Sequence, residues 1–165
     1  MAGDSASQTE AGKAAKPGSF QVRNQKYGDL LRPEEANSTD GTRIVLYPAQ
    51  PWKCLTWKLH AKGDSGFQLQ NHFTGKTFAA EAGAEKAEAA VTQVPFSKKP
   101  EERPTWQLVK LSDGTYKITD TKSGKALTAV KEDAGSGVRI VARAWREGAD
   151  QKWELIEIDP KQLTM

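Results

Sequence analysis

Along most of the chain, apolar side chains return at every second position in short runs, and the runs themselves recur. Three segments, FQVRNQKYGDLL, FQLQNHFTGKTF and YKITDTKSGKAL, start at Phe20, Phe67 and Tyr116, 47 and 49 residues apart. Each opens on an aromatic followed two residues later by an aliphatic (Val22, Leu69, Ile118), which predicts a strand with one buried face. Eight residues after each aromatic stands a glycine (Gly28, Gly75, Gly124), in a context that predicts a hairpin turn needing positive φ. Large apolar residues return at Leu31, Phe78 and Leu127. Val45, Val94 and Val141 follow, each twelve residues before a tryptophan: Trp57, Trp106 and Trp153. Every one of these tryptophans continues as Trp-x-Leu, to Leu59, Leu108 and Leu155. The pattern predicts about four short strands per copy. One stretch differs: Ala79–Val91 has high helix propensity but is broken by Gly83, and at most a helical turn is expected there.

No single copy could bury its apolar face alone, whereas three copies around a pseudo-threefold axis bury it jointly. The expected organisation is one all-β domain over residues 19–159, with repeats at about 19–63, 64–112 and 113–159. Residues 1–18 carry no aromatic or branched aliphatic side chain and are expected to form a disordered tail; residues 160–165 form a second, short tail. The three tryptophans are expected in the core.

Composition narrows the chemistry. The 165 residues hold 24 Lys+Arg against 21 Asp+Glu, a formal charge of +3, which makes nucleic acid an unlikely partner. A single cysteine, Cys54, excludes an intramolecular disulfide and a cysteine-based zinc cage. Cys54 itself is expected as a half-buried thiol. Two histidines, His60 and His72, leave little for metal or acid–base work, and no nucleophile elbow, Walker loop or HExxH sequence occurs. The reading is therefore no enzyme, no cofactor and no metal. No apolar run approaches the roughly 20 residues of a membrane helix. The N-terminus lacks the pattern of a signal peptide, so the expected compartment is cytoplasmic, or the exterior if a signal has been removed. Asn37-Ser38-Thr39 is a glycosylation sequon that matters only in the second case.

The three copies, each ending near a Gln-x-Trp element, resemble the ricin B-type β-trefoil domain. The third is the nearest match, with Ser123-Gly124-Lys125-Ala126-Leu127, then Gly137-Val138-Arg139-Ile140-Val141, then Gln151-Lys152-Trp153. The resemblance implies a β-trefoil: a six-stranded barrel closed at one end by three hairpins. It also implies where sugar would bind. Lectins of this family place an aspartate four residues after the repeat glycine; Arg32, Ala79 and Thr128 stand there instead. An aromatic platform two residues after the repeat valine would be Tyr47 and Phe96, with Arg143 in the third copy and Trp145 nearby. The Asn-Gln pair before the tryptophan survives only as Asp150-Gln151; Leu55 and Pro104 replace its glutamine in the other copies.

The leading expectation is a non-enzymatic carbohydrate-binding, lectin-like module with altered pockets, whose partner is a carbohydrate or glycoprotein. The first candidate site is Tyr47 as platform with Arg32 and Trp52; the second is Thr128, Trp145, Asp150 and Gln151. In this motif Gln151 more often fixes backbone than touches ligand. Arg32 in place of an aspartate suits an acidic sugar better than a neutral one. The alternative is a protein-binding trefoil, such as a protease inhibitor or scaffold subunit, using Pro48–Trp52 or Val94–Pro100 as docking loops. A third possibility is a mildly basic trefoil binding nucleic acid or anionic glycans through Lys/Arg clusters.

Overall fold

A computed structural model describes residues 15–81, 87–132 and 137–164. Each copy contributes four strands. The first gives β1 (Gly18–Asn24), β2 (Leu30–Pro33), β3 (Ile44–Tyr47) and β4 (Trp57–Ala61). The second gives β5 (Gly66–Asn71), β6 (Thr77–Ala80), β7 (Glu88–Val94) and β8 (Trp106–Lys110). The third gives β9 (Tyr116–Asp120), β10 (Ala126–Lys131), β11 (Val138–Arg143) and β12 (Trp153–Glu157).

The outer strands of each copy close a six-membered antiparallel ring: β1 pairs with β4 and β12, β5 with β4 and β8, and β9 with β8 and β12. Its register follows the repeat. The opening aromatic of each copy faces that copy's own tryptophan, as Phe20↔Trp57, Phe67↔Trp106 and Tyr116↔Trp153. The aliphatic two residues on faces the Trp-x-Leu leucine of the preceding copy, as Val22↔Leu155, Leu59↔Leu69 and Leu108↔Ile118. The inner strands form hairpins β2–β3, β6–β7 and β10–β11, which meet one another through β11 at Arg139↔Val45 and Val141↔Ala90. This is the β-trefoil expected from the sequence.

The core lies inside the ring and under the hairpins. Trp57, Trp106 and Trp153 are wholly buried, and each indole Nε1–H donates to the carbonyl of the apolar residue three positions past its copy's glycine. The acceptors are Leu31, Phe78 and Leu127, at 3.0, 3.3 and 3.0 Å. Barrel and cap are thereby tied by the one polar atom of an otherwise apolar side chain.

Several expectations need amendment. Ala79–Ala80 and Glu88–Val91 lie in β6 and β7 rather than in a helical turn; residues 82–86 of that stretch are outside the described residues. Cys54 is buried, not half-buried. The disorder expected of the N-terminal tail falls on residues 1–14, also outside the described residues, while Ala15 packs against the core and Gly18 opens β1. At the other end, Pro160–Gln162 forms a short turn and Thr164 bridges to Trp52.

Repeat counting also slips in the second copy. The hairpin register pairs Arg32 with Val45, Ala79 with Thr92 and Thr128 with Val141. Thr92, not Val94, is therefore the structural partner of Val45 and Val141, and two extra residues lie between it and Trp106. Phe96 falls beyond β7, two residues past the place that Tyr47 and Arg143 occupy.

Candidate functional site

In the first copy, β2 and β3 place Leu30 opposite Tyr47 and Arg32 opposite Val45, so Arg32 and Tyr47 are diagonal neighbours on one face. Below them Leu30, Cys54 and Leu55 form a small apolar cluster of their own, against which Tyr47 and Trp52 pack. The Arg32 guanidinium lies over the Tyr47 ring, 3.8 Å from its centroid, and Trp52 stacks on Tyr47 at 5.6 Å with 29° between the planes. Tyr47 is thus the shared member of a stack and not a bare platform. Trp52 is held from behind: Lys53 N–H donates to the Thr164 carbonyl, and Thr164 N–H donates to the Pro51 carbonyl at 2.7 Å. All three side chains of the stack are half-buried. Among the described residues none of their polar tips, the guanidinium, the phenol or the indole N–H, makes a hydrogen bond.

The third copy has the opposite character. Thr128 and Gln151 are fully buried. Gln151 donates to Thr128 Oγ1 (3.1 Å) and to the Ala144 carbonyl (2.8 Å), and its Oε1 accepts from Arg146 N–H (2.7 Å). It fixes the loop that carries Trp145. Asp150 accepts from Arg146 at 3.1 Å, and Lys117 sits 5.2 Å from the Trp145 ring centroid. Arg143, in the register of Tyr47, donates to Glu88 from Nε and Nη2 at 2.8 and 2.6 Å, and Arg139 reaches the same carboxylate at 3.1 Å. These two guanidinium groups hold the Glu88 carboxyl below the usual carboxylate range. Within this second candidate group Gln151 and Thr128 bond to each other, while Asp150 is taken by Arg146 and Trp145 lies beside Lys117.

The second copy has Ala79 where a sugar-binding carboxylate would stand. Its Phe96 is covered by Arg103 at 3.9 Å and lies 5.1 Å from His60. Arg103 is in turn anchored on the Ser97 carbonyl, and His60 on Gln70.

Sequence reading missed two features. An Asn or Asp stands four residues before each repeat glycine, and its carboxylate or amide oxygen caps the hairpin turn. Asn24 accepts from Lys26 and Tyr27, Asn71 from Phe73 and Thr74, and Asp120 from Lys122 and Ser123. The spacing was visible in all three copies. The other feature is a contact between Ser19 Oγ and His72 Nε2 at 2.9 Å. No carboxylate orients this imidazole among the described residues; burial, Lys58 and Lys53 hold its pKa below the ordinary range. The pair lacks the third member that would make the serine a nucleophile.

No group of three or more metal-ligating side chains is found among the described residues, and no helix there is long and apolar enough to cross a membrane. A closed β-trefoil that presents aromatic and polar side chains from its hairpins and loops is the architecture of a binding module. The chain belongs to the ricin-type β-trefoil lectin domain-like family, whose model matches residues 8–94 and 103–164. Among solved structures it is similar to ThreeFoil, a designed threefold-symmetric protein, at 26% identity and TM-score 0.75, covering 85% of this chain and 99% of that one. It is also similar to a ricin B-like lectin of Macrolepiota procera in complex with lactose (15%, TM-score 0.69, 87% and 98% covered). A third is the C-terminal domain of an earthworm lectin, a mutant in complex with 6'-sialyllactose (16%, TM-score 0.62, 86% and 100% covered). The last two likenesses speak for the fold alone. No curated protein matches the chain.

Proposed function

We propose that this chain is a non-enzymatic carbohydrate-binding module whose working site is the Arg32–Tyr47–Trp52 stack of the first copy. The observation that carries the reading is the contrast between copies. In the first, three side chains with aromatic or planar faces share one half-buried patch and their polar tips are unpartnered. In the third, the corresponding groups are spent on internal bonds. A sugar needs an apolar surface for its C–H face and donors or acceptors at the rim for its hydroxyls, and the first copy keeps both uncommitted. Because Arg32 covers the Tyr47 ring, the stacking surface falls to Trp52, with the Tyr47 hydroxyl and the guanidinium at the rim. Membership of a lectin-like family supports this reading, as do the lactose and sialyllactose complexes of two structural neighbours.

The test is binding of the whole chain to a panel of neutral and acidic glycans, with tryptophan fluorescence as a second readout. Saturable binding lost at least tenfold in Trp52→Ala and in Tyr47→Ala, and unchanged in Asp150→Ala, is the expected result (aromatic anchors of this kind carry about 2 kcal/mol or more). Binding abolished by Asp150→Ala and indifferent to Trp52→Ala would move the site to the third copy. A blank panel with folded protein would replace this reading by the protein-binding trefoil.

A further inference from the structure

The charge of the first-copy site points to a particular class of sugar. The chain has seven arginines, and six are engaged. Arg23 pairs with Glu154, Arg43 with Glu34 and Glu132, Arg139 and Arg143 with Glu88, and Arg146 with Asp150; Arg103 donates to the Ser97 carbonyl. Arg32 alone has no hydrogen bond and no ion pair among the described residues. Glu34, two residues away at the start of the turn after β2, feels the Arg32 charge but makes no hydrogen bond or ion pair with it. Both of its oxygens are taken by Arg43, at 2.8 and 3.3 Å. Arg32 Nε is buried without a partner, while its terminal nitrogens are reached by solvent. Packing on the Tyr47 ring, 3.8 Å from its centroid, restrains the guanidinium before any ligand arrives.

A guanidinium held against an aromatic stack without a hydrogen-bond partner is matched by a planar anion attached to a partly apolar ring. We infer that the first-copy site recognises a carboxylated sugar, a uronic or sialic acid residue, with Arg32 receiving the carboxylate and Trp52 packing on the ring. The inference rests on the proposed carbohydrate function and names its substrate class. A sulfate carries the same charge without the planar two-oxygen geometry, and a neutral sugar leaves the guanidinium unpaired in a partly desolvated place.

The experiment measures binding of the whole chain to four matched probes: a carboxylated glycan, its methyl ester, a sulfated glycan and the neutral parent. The expected order places the free acid at least tenfold ahead of the ester and the neutral parent, as charged hydrogen bonds of this kind allow at about 1.5–3 kcal/mol. Arg32→Ala should bring the acid, the ester and the neutral parent to the same affinity, while Arg32→Lys, with charge but no fork, should recover only part of the acid's advantage. Near-ultraviolet circular dichroism checks that each variant is folded; the acid-against-ester comparison needs only the unaltered protein. Equal binding of acid, ester and neutral parent overturns the inference and leaves the carbohydrate reading standing. Equal binding of the sulfated and carboxylated probes overturns the carboxylate assignment in favour of simple anion attraction. No binding of any probe overturns both.

Discussion

Single side chains divide into those whose polar atoms are spent inside the fold and those that are not. Gln151 is spent. Its amide group satisfies the Arg146 N–H and the Ala144 carbonyl while reaching Thr128, and the side chain itself is fully buried. Replacing it by alanine strands two backbone groups, so Gln151→Ala should cost about 1–3 kcal/mol in a urea titration. Glycan binding at the first copy should not change. A loss of binding with little loss of stability would mean that the side chain touches ligand after all. Arg32 is the opposite case, a cation with a ring beneath it and no hydrogen-bond or ion-pair partner among the described residues. The family resemblance placed Arg32 where an aspartate is usual but could not show that Glu34 had been claimed by Arg43, because that depends on the β2–β3 hairpin bringing side chains nine residues apart together. For the same reason the site proposed above gives Trp52 the platform role read for Tyr47: which rings meet in a stack is set by the fold, not by spacing along the chain.

The hairpins were legible because their turns are encoded by several residues at once. A glycine at φ near +75° sits in each of the three turns, at Gly28, Gly75 and Gly124, and an Asx side chain four residues earlier caps the N–H groups ahead of it. Asn24 and Asn71 do more than Asp120, since their amide groups also donate to the Asp150 and Cys54 carbonyls at 3.1 and 2.9 Å. An aspartate cannot donate when ionised, and in the third copy Thr121 Oγ1 donates to the Thr105 carbonyl instead. Asn71→Asp keeps the turn cap and places a carboxylate against the Cys54 carbonyl. It should lower stability by about 1–3 kcal/mol, whereas Asp120→Asn at an exposed turn should stay within about 0.5 kcal/mol. Thermal or urea unfolding of the two variants checks the pair. What spacing missed was the longer loop before Trp106. The valine at the counted position was there by coincidence, and only the pairing of Ala79 with Thr92 shows the slip. Likewise the helix propensity of Ala79–Val91 was real, but β6 and β7 flank the stretch and must meet as a hairpin to cover the core, so tertiary pairing decides the conformation of its ends.

At the scale of the whole molecule the three copies share one barrel and are locked together at the cap by charge. Glu88 of the second copy binds Arg139 and Arg143 of the third, and Arg43 of the first binds Glu132 of the third. Arg43 also binds Glu34 beside it, and that pairing holds the Glu34 carboxyl below its ordinary range; hydrogen bonds from Thr115 do the same for Asp113. A carboxylate whose folded pKa is depressed stabilises the fold above its unfolded pKa, about 4.3 for Glu, and that contribution disappears as pH falls through the folded value. The cap should therefore loosen in acid, with the melting temperature falling most steeply below about pH 4. Glu88→Gln isolates the share of one residue. At neutral pH it should melt lower than the unaltered chain, because Arg139 and Arg143 lose their common partner. Its decline in acid should be shallower, and the two curves should converge once Glu88 of the unaltered chain is protonated. Added salt should narrow the neutral-pH gap, since each of these side chains is about a third exposed (31–35%) and partly screened. Parallel curves from neutral to acid would show that the Glu88 ion pairs contribute nothing that depends on their charge.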